Sequence, residues 1–246
     1  MKFYESIAEY YELIFDPEDS AEIIDGLFLG PGSRRIIDIG CATGKLAAGL
    51  AALKHEVTGI DLDEKMIGLA LENYSRKGLS LNFASENMLN ISNAFERDYF
   101  GAAVCVGNTI VHLDGAAEIE EFFRALNLIL SPGAVFVGQI LNYDRIMSKK
   151  IDKLALIEND KIKFERYYDL DIAKNKGKIL FKTKLTVKEN GVVIGNEAQL
   201  YPAKKQEILG ALTAAGFTDI NFYSDIEKGS FSIENSGPLA FSAVRA

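Results

Sequence analysis

Cysteine is scarce in this chain: Cys41 and Cys105 are the two in 246 residues. Two thiols do not make a disulfide framework, and the reading they support is a pair of reduced thiols in a cytoplasmic protein. No apolar run approaches the roughly 18 residues of a membrane-crossing helix, so no membrane partner is expected. The stretch from Met1 to Phe15 carries Glu5, Glu9 and Glu12 and lacks the apolar centre of a secretory peptide. Basic charge is also thin, with 27 Lys and Arg against 35 Asp and Glu and a net charge of −8. Basic runs are no longer than two residues, as in Lys149-Lys150 and Lys204-Lys205. A protein that binds bulk nucleic acid normally displays a basic face, so no nucleic-acid partner is expected. Lys178, Lys182, Lys184 and Lys188 alternate at strand spacing, which reads as the solvated side of a sheet.

Apolar residues make up 48% of the chain, enough for a sizeable core. From 34 to 141, strand-like and helix-like patterns alternate, the mark of a parallel sheet flanked by helices. Predicted strands are Arg35 to Ile39, Glu56 to Ile60, Leu79 to Ala84, Ala102 to Val106 and Ala134 to Leu141. Predicted helices are Thr43 to Leu53, Asp63 to Lys77 and Asp114 to Leu130, the last stopped by Ser131-Pro132-Gly133. From Lys161 to Tyr201 the period changes to strict alternation, and Asn190-Gly191 is a hairpin signal, so a three-stranded antiparallel insertion is expected. After Pro202 a helix and two further strands resume the first pattern. The first 29 residues read as an amphipathic helical stretch, with Tyr4, Ile7, Tyr11 and Ile14 at helical spacing. The expected fold is α/β: a doubly wound, mostly parallel seven-stranded sheet with the insertion after its fifth strand. The domain division is a helical cap over 1–33, an α/β core over 34–145, the insertion as a substrate lid over 146–202, and the remainder of the core over 203–246.

The informative segment is Ile36-Ile37-Asp38-Ile39-Gly40-Cys41-Ala42-Thr43-Gly44, a buried strand entering a small-residue turn that opens a helix. Such a turn lets backbone approach a ligand closely. It is too short for a Walker-type phosphate loop, and Leu46 follows Lys45 where that loop has Ser or Thr. A dinucleotide fingerprint counted from Gly40 and Ala42 would want a small residue where Lys45 stands. Asp38, in the strand before the turn, suits a ligand with an ammonium group better than one with a pyrophosphate; its alternative role is to accept hydrogen bonds that steady the loop. Asp61 ends the second strand, where its carboxylate could accept from both ribose hydroxyls, or could cap the next helix in place of Asp63.

Asp38-Ile-Gly40-Cys-Ala42-Thr-Gly44 and Gly59-Ile-Asp61-Leu-Asp63-Glu-Lys-Met66 resemble the first motif and the acidic second-strand motif of class I S-adenosylmethionine-dependent methyltransferases. Val104-Cys-Val106-Gly107-Asn108-Thr109-Ile-Val-His112-Leu113, Asn142-Tyr143-Asp144 and Leu200-Tyr201-Pro202 resemble the glycine and sarcosine N-methyltransferase group within it. The resemblance covers almost the whole chain and implies a Rossmann-like fold, S-adenosylmethionine as cofactor with no metal, and a small-molecule methyl acceptor, an amine or amino acid. It implies that Gly40, Cys41 and Gly44 line the methionine portion, and that Asp61 binds ribose with Leu62 against the adenine and Met66 nearby. It also implies that Asn87 and Met88 meet the adenine, with the Asn87 carbonyl accepting where the family usually has an acid, that Val106, Gly107 and Asn108 pass near the sulfur, and that Tyr11 closes over the cofactor. Two departures stand out: Ala42 replaces the usual middle glycine, tolerable at negative φ and costly otherwise, and Gly101 stands where the fourth strand normally begins with an acidic residue.

Methyl transfer from a sulfonium asks the protein mainly to align and desolvate the partners. His112, after the fourth strand, is the candidate base, with a structural role as its alternative; His55 is expected to be exposed in a turn. Tyr143 is a second catalytic candidate unless it packs beneath the insertion. Asn108, His112, Tyr143 and Arg166 are the candidate substrate contacts, Arg166 and Arg145 being able to pair with a carboxylate. Competing readings are an O- or C-methyltransferase of another small metabolite, a cofactor-binding regulator without turnover and a nicotinamide-dependent dehydrogenase. The amino-modifying nucleic-acid enzymes have an Asn/Asp-Pro-Pro-aromatic tetrad where this chain reads Gly107-Asn108-Thr109-Ile110.

Overall fold

The computed structural model describes residues 2–15, 20–75 and 78–246. Seven strands form the main sheet: β1 (Arg35–Ile39), β2 (Glu56–Asp61), β3 (Leu81–Ser85), β4 (Phe100–Cys105), β5 (Leu130–Leu141), β10 (Phe217–Tyr223) and β11 (Pro238–Arg245). Their order is β10-β11-β5-β4-β1-β2-β3. β1 to β5 run parallel, and β11 is antiparallel to both its neighbours. The chain starts at β1, steps out through β2 and β3, then returns to the other side at β4. The crevice between the carboxyl ends of β1 and β4 is therefore a topological switch point, the place where such sheets bind ligands. The expected doubly wound sheet is present.

Local sequence explains the parts that frame this crevice. β1 is buried along Ile36 to Ile39, as a central parallel strand covered on both faces must be. The Lys45–Ala52 helix packs on the sheet through Leu46, Ala47, Leu50 and Ala51, whose small alanines permit close approach. The Glu64–Tyr74 helix is capped by Asp63, whose side chain accepts from the Lys65 and Met66 N–H groups. It ends before the predicted terminus at Lys77, which lies outside the described residues. The Ala116–Ile129 helix buries Ile119, Phe122, Phe123, Leu126 and Ile129 against Phe136 and Phe241 of the sheet.

Several expectations are corrected. Ser131-Pro132-Gly133 ends the helix but sits inside β5: the β4–β5 register jumps between Phe100↔Leu130 and Ala102↔Val135, so the extra residues form an irregularity beside the fourth strand. The insertion has four strands, not three: β6 (Ile157–Glu158), β7 (Ile162–Asp169), β8 (Ile179–Val187) and β9 (Val193–Leu200), all antiparallel in that order. The missed strand is two residues long, too short to show a period. Lys182, Lys184 and Lys188 are exposed on β8 and just beyond it, while Thr183, Leu185 and Val187 between them are buried. The N-terminal stretch is broken into short turns, Lys2–Glu5, Ala8–Tyr10, Tyr11–Ile14, Ser20–Ile24 and Asp25–Leu29, because it wraps around a surface instead of lying along one. Ile7 and Ile14 pack there with Ile162, Phe164 and Leu185, clamping the N-terminal segment to the insertion.

Candidate functional site

The turn after β1 is held by backbone. Gly40 and Cys41 N–H groups both donate to the Ile60 carbonyl, at 2.8 and 2.9 Å, and Gly44 N–H donates to the Cys41 carbonyl at 2.9 Å. Gly40 has φ +74° and Gly44 φ +83°, values open to glycine. A Cβ on Gly40 would lie 2.4 Å from Thr109 Cγ2, and one on Gly44 2.5 Å from Phe83 Cζ. Ala42 has φ +48°, the left-handed region its tolerance required it to avoid, so this substitution carries a cost of about 1–2 kcal/mol. Its N–H donates to Asp61 Oδ2 at 2.9 Å, which holds it there.

Two carboxylates flank the turn. Asp61 Oδ1 accepts from the Asp63 N–H at 2.9 Å while Oδ2 holds Ala42. Burial raises the Asp61 pKa, and those two N–H groups oppose the rise. The helix cap is Asp63, not Asp61. Asp38 is 2% exposed, and its Oδ2 has no hydrogen-bond partner. Burial first, then the charge of Asp61, pushes its pKa up to about 7 against the stabilising Ala47 N–H.

Two joined lobes open over the turn, sharing Tyr4, Tyr11, Gly40, Ala42 and Gly107. One continues along Asp38, Cys41 and Val106; the other along Asp61, Leu62, Met66, Asn87 and Met88. Thus eleven of the thirteen residues expected at a cofactor line one cavity. Gly44 does not: its open face is backed by Phe83 and Ala70, so its contribution is to the shape of the turn. Asn108 does not either. Turned to φ +72°, it donates Nδ2–H to the Tyr143 hydroxyl at 3.0 Å and accepts from Leu141 N–H at 2.9 Å. Asn87 lines the cavity, but its carbonyl already accepts from Leu89 N–H at 3.0 Å, capping a short turn. Glu86 beside it, unremarked in the sequence, brings a carboxylate to the same wall.

His112 lines the cavity and shares a 2.9 Å hydrogen bond between Nε2 and the Tyr4 hydroxyl. Burial lowers its pKa to about 4, so the ring is neutral at pH 7. Tyr143 lies off the cavity lining: it is fully buried, bonded to Asn108 and 6.4 Å, ring to ring, from Tyr168 of the insertion. Arg166 donates Nη2–H to the Ala155 carbonyl at 2.8 Å, and neither it nor Arg145 lines a lobe. His55, expected exposed, is 2% exposed: Nδ1 accepts from Arg34 N–H at 3.1 Å and Nε2 bonds Asp25 at 2.9 Å. It ties the N-terminal segment to the core.

A model of the methyltransferase domain matches residues 36–133, from β1 to the turn inside β5. Over these residues the chain is similar to a methyltransferase domain. It is 31% identical over 133 residues to glycine N-methyltransferase of Rattus norvegicus, covering 50% of this chain and 45% of that protein. It is 38% identical over 60 residues to ubiquinone biosynthesis O-methyltransferase of Azoarcus, covering 24% of this chain and 25% of that protein. The chain spans less than half the length of these relatives. A crystal structure of an S-adenosylmethionine-dependent methyltransferase from Clostridium acetobutylicum superposes with a TM-score of 0.79 at 16% identity, covering 99% of both chains.

Over the matched residues, the N-terminal segment closes the cavity with aromatic rings. His112, Tyr4, Tyr11, Phe15 and Phe164 form a chain of ring contacts with centroids 5.1–6.4 Å apart, running from the β4 loop to the insertion. Thr43 Oγ1 donates to Glu12 at 3.0 Å and Asn196 to Ser6 at 2.7 Å, fastening the segment to both bodies. Tyr4 was legible only as one point of a helical stripe, and nothing in its spacing separated a cavity residue from a packing one. Among the described residues, no cluster of His, Cys, Asp and Glu could hold a metal, and no helix is long and apolar enough to cross a membrane.

Proposed function

We propose that this chain binds S-adenosylmethionine and transfers its methyl group to a small-molecule amine. One observation carries the reading: a buried, unpartnered carboxylate oxygen, Asp38 Oδ2, beside a glycine turn whose other flank is a second carboxylate, Asp61. The residues fit this cofactor. Asp38 would take its ammonium group. Asp61 would accept from the ribose hydroxyls with the lone pairs left over after Ala42 and Asp63. Leu62 and Met88 would sandwich the adenine. A pyrophosphate in the same place would face two carboxylates, which argues against a dinucleotide.

Bound in this cavity, the cofactor supplies an electrophilic methyl carbon and a neutral thioether leaving group. The chain supplies alignment, which contributes about 7–11 kcal/mol in favourable cases. Tyr4, Tyr11 and Phe15 exclude water above the turn. The acceptor nitrogen must be neutral to react. His112 lines the cavity uncharged, its Nε2 shared with the Tyr4 hydroxyl, and its pKa of about 4 makes it a poor store for the proton, which passes to solvent. A hydroxyl acceptor is the second reading, favoured by the match to an O-methyltransferase. Incubation with methyl-labelled cofactor and a panel of amines and hydroxylated metabolites tests both: labelled amine is the expected product. Tight cofactor binding with no transfer to any of them would instead make the chain a cofactor-binding regulator.

A further inference from the structure

We infer that the methyl acceptor is an amine that carries no carboxylate or other anionic group. This rests on the methyl-transfer reading above and names the acceptor class for it. Acidic side chains line both lobes: Asp38 in one, and Asp61, Asp63, Glu86 and Glu118 in the other. Among the described residues, Lys45 is the one lysine or arginine lining either lobe. It stands next to the glycine turn, in the lobe of Asp38, where the cofactor's own carboxylate would lie.

The arginines that the sequence offered for a substrate carboxylate are elsewhere. Arg166 donates one N–H to the Ala155 carbonyl, Arg145 lies in the Tyr143–Ser148 helix, and neither lines a lobe. The other walls include Tyr4, Tyr11, Ile14, Phe15, His112 and Leu113. They are aromatic or aliphatic, and none carries a positive charge, His112 being held uncharged by burial. With Asp38 and Asp61 turned to the cofactor, a carboxylate entering this space would lose its hydration, find no guanidinium, and meet the like charge of Glu86 and Glu118. An ammonium would be drawn in by the same charges before releasing its proton. The cavity thus selects by repulsion as well as by fit.

Matched pairs test this: ethanolamine against serine, and phenethylamine against phenylalanine, each with methyl-labelled cofactor and the full chain. The expected result is a kcat/KM at least tenfold higher for the decarboxylated member of any pair that is turned over. Equal or better turnover of the amino acid overturns the inference and leaves the methyl-transfer reading intact. No transfer to any amine or amino acid, with S-adenosylhomocysteine still bound, removes both. The double variant Glu86→Gln/Glu118→Gln adds a second readout. Glutamine keeps the acceptor that Glu86 offers to Asn87 N–H and Glu118 to Asp114 N–H. The ratio within a pair, in which any loss of cofactor affinity cancels, is expected to narrow at least threefold. An unchanged ratio contradicts the electrostatic selection.

Discussion

The floor and the roof of the cavity are built by different means. The floor is backbone: the turn over 40–44, pinned by Ile60 and Asp61, with glycines at positive φ and neighbours packed where any Cβ would go. The roof is side chain: Tyr4, Tyr11 and Phe15 on a segment tied down by Glu12, Ser6 and contacts with the insertion. A backbone floor admits few substitutions and recognises a constant ligand. A side-chain roof can be re-cut for different acceptors while the floor stays as it is. On the methyl-transfer reading proposed above, cofactor binding falls to the first, and the shape of the acceptor space to the second.

Variants can break this contrast. The largest effect is expected on the floor. Gly44→Ala forces a methyl group into Phe83 at a left-handed φ, and a loss of about 2–4 kcal/mol in urea unfolding is expected. Asp61→Ala leaves the Ala42 and Asp63 N–H groups without acceptors; calorimetry should show S-adenosylhomocysteine binding weakened about 100-fold, near 2.7 kcal/mol. On the roof, Tyr4→Phe removes the bond to His112. Acceptor KM should rise about fivefold, roughly the worth of one hydrogen bond, while S-adenosylhomocysteine affinity stays within about twofold. Equal effects on both would erase the division between floor and roof. The smallest effect sharpens it: Ala42→Gly relieves a left-handed alanine and should raise stability by about 1 kcal/mol in the same unfolding assay.

The floor was largely legible in the sequence, because its chemistry is written in consecutive residues. Asp38 to Gly44 and Asp61 each announce a strand end, and the parallel order of strands brings those ends together. Gly44 and Asn108 were misplaced because a motif shows that a residue is needed, not which way its open face points: Gly44 meets Phe83 and Asn108 turns to Tyr143. The roof was scarcely legible. Tyr4 reaches His112 across 108 residues, and Tyr143 was drawn beneath the insertion by Tyr168. His55 looked like a turn residue, yet Asp25 and Arg34, distant partners that no local pattern reveals, bury it.

Asp38 gives the most direct test that the cavity recognises a nucleoside bearing an ammonium group. Its folded pKa of about 7 lies above its unfolded value of 3.8, so the folded state binds more protons between them, and ligand-free stability should fall as pH rises from about 4 to 7. An ammonium group beside Asp38 favours its charged form, so binding should expel a proton. Calorimetry of S-adenosylhomocysteine binding at pH 6.5, in two buffers of different ionisation enthalpy, measures that proton. One-to-one binding with net proton release is expected, tightening about tenfold from pH 6 to 8, with no release in Asp38→Asn. Absence of binding heat, or binding whose proton balance is the same in Asp38→Asn, would contradict it.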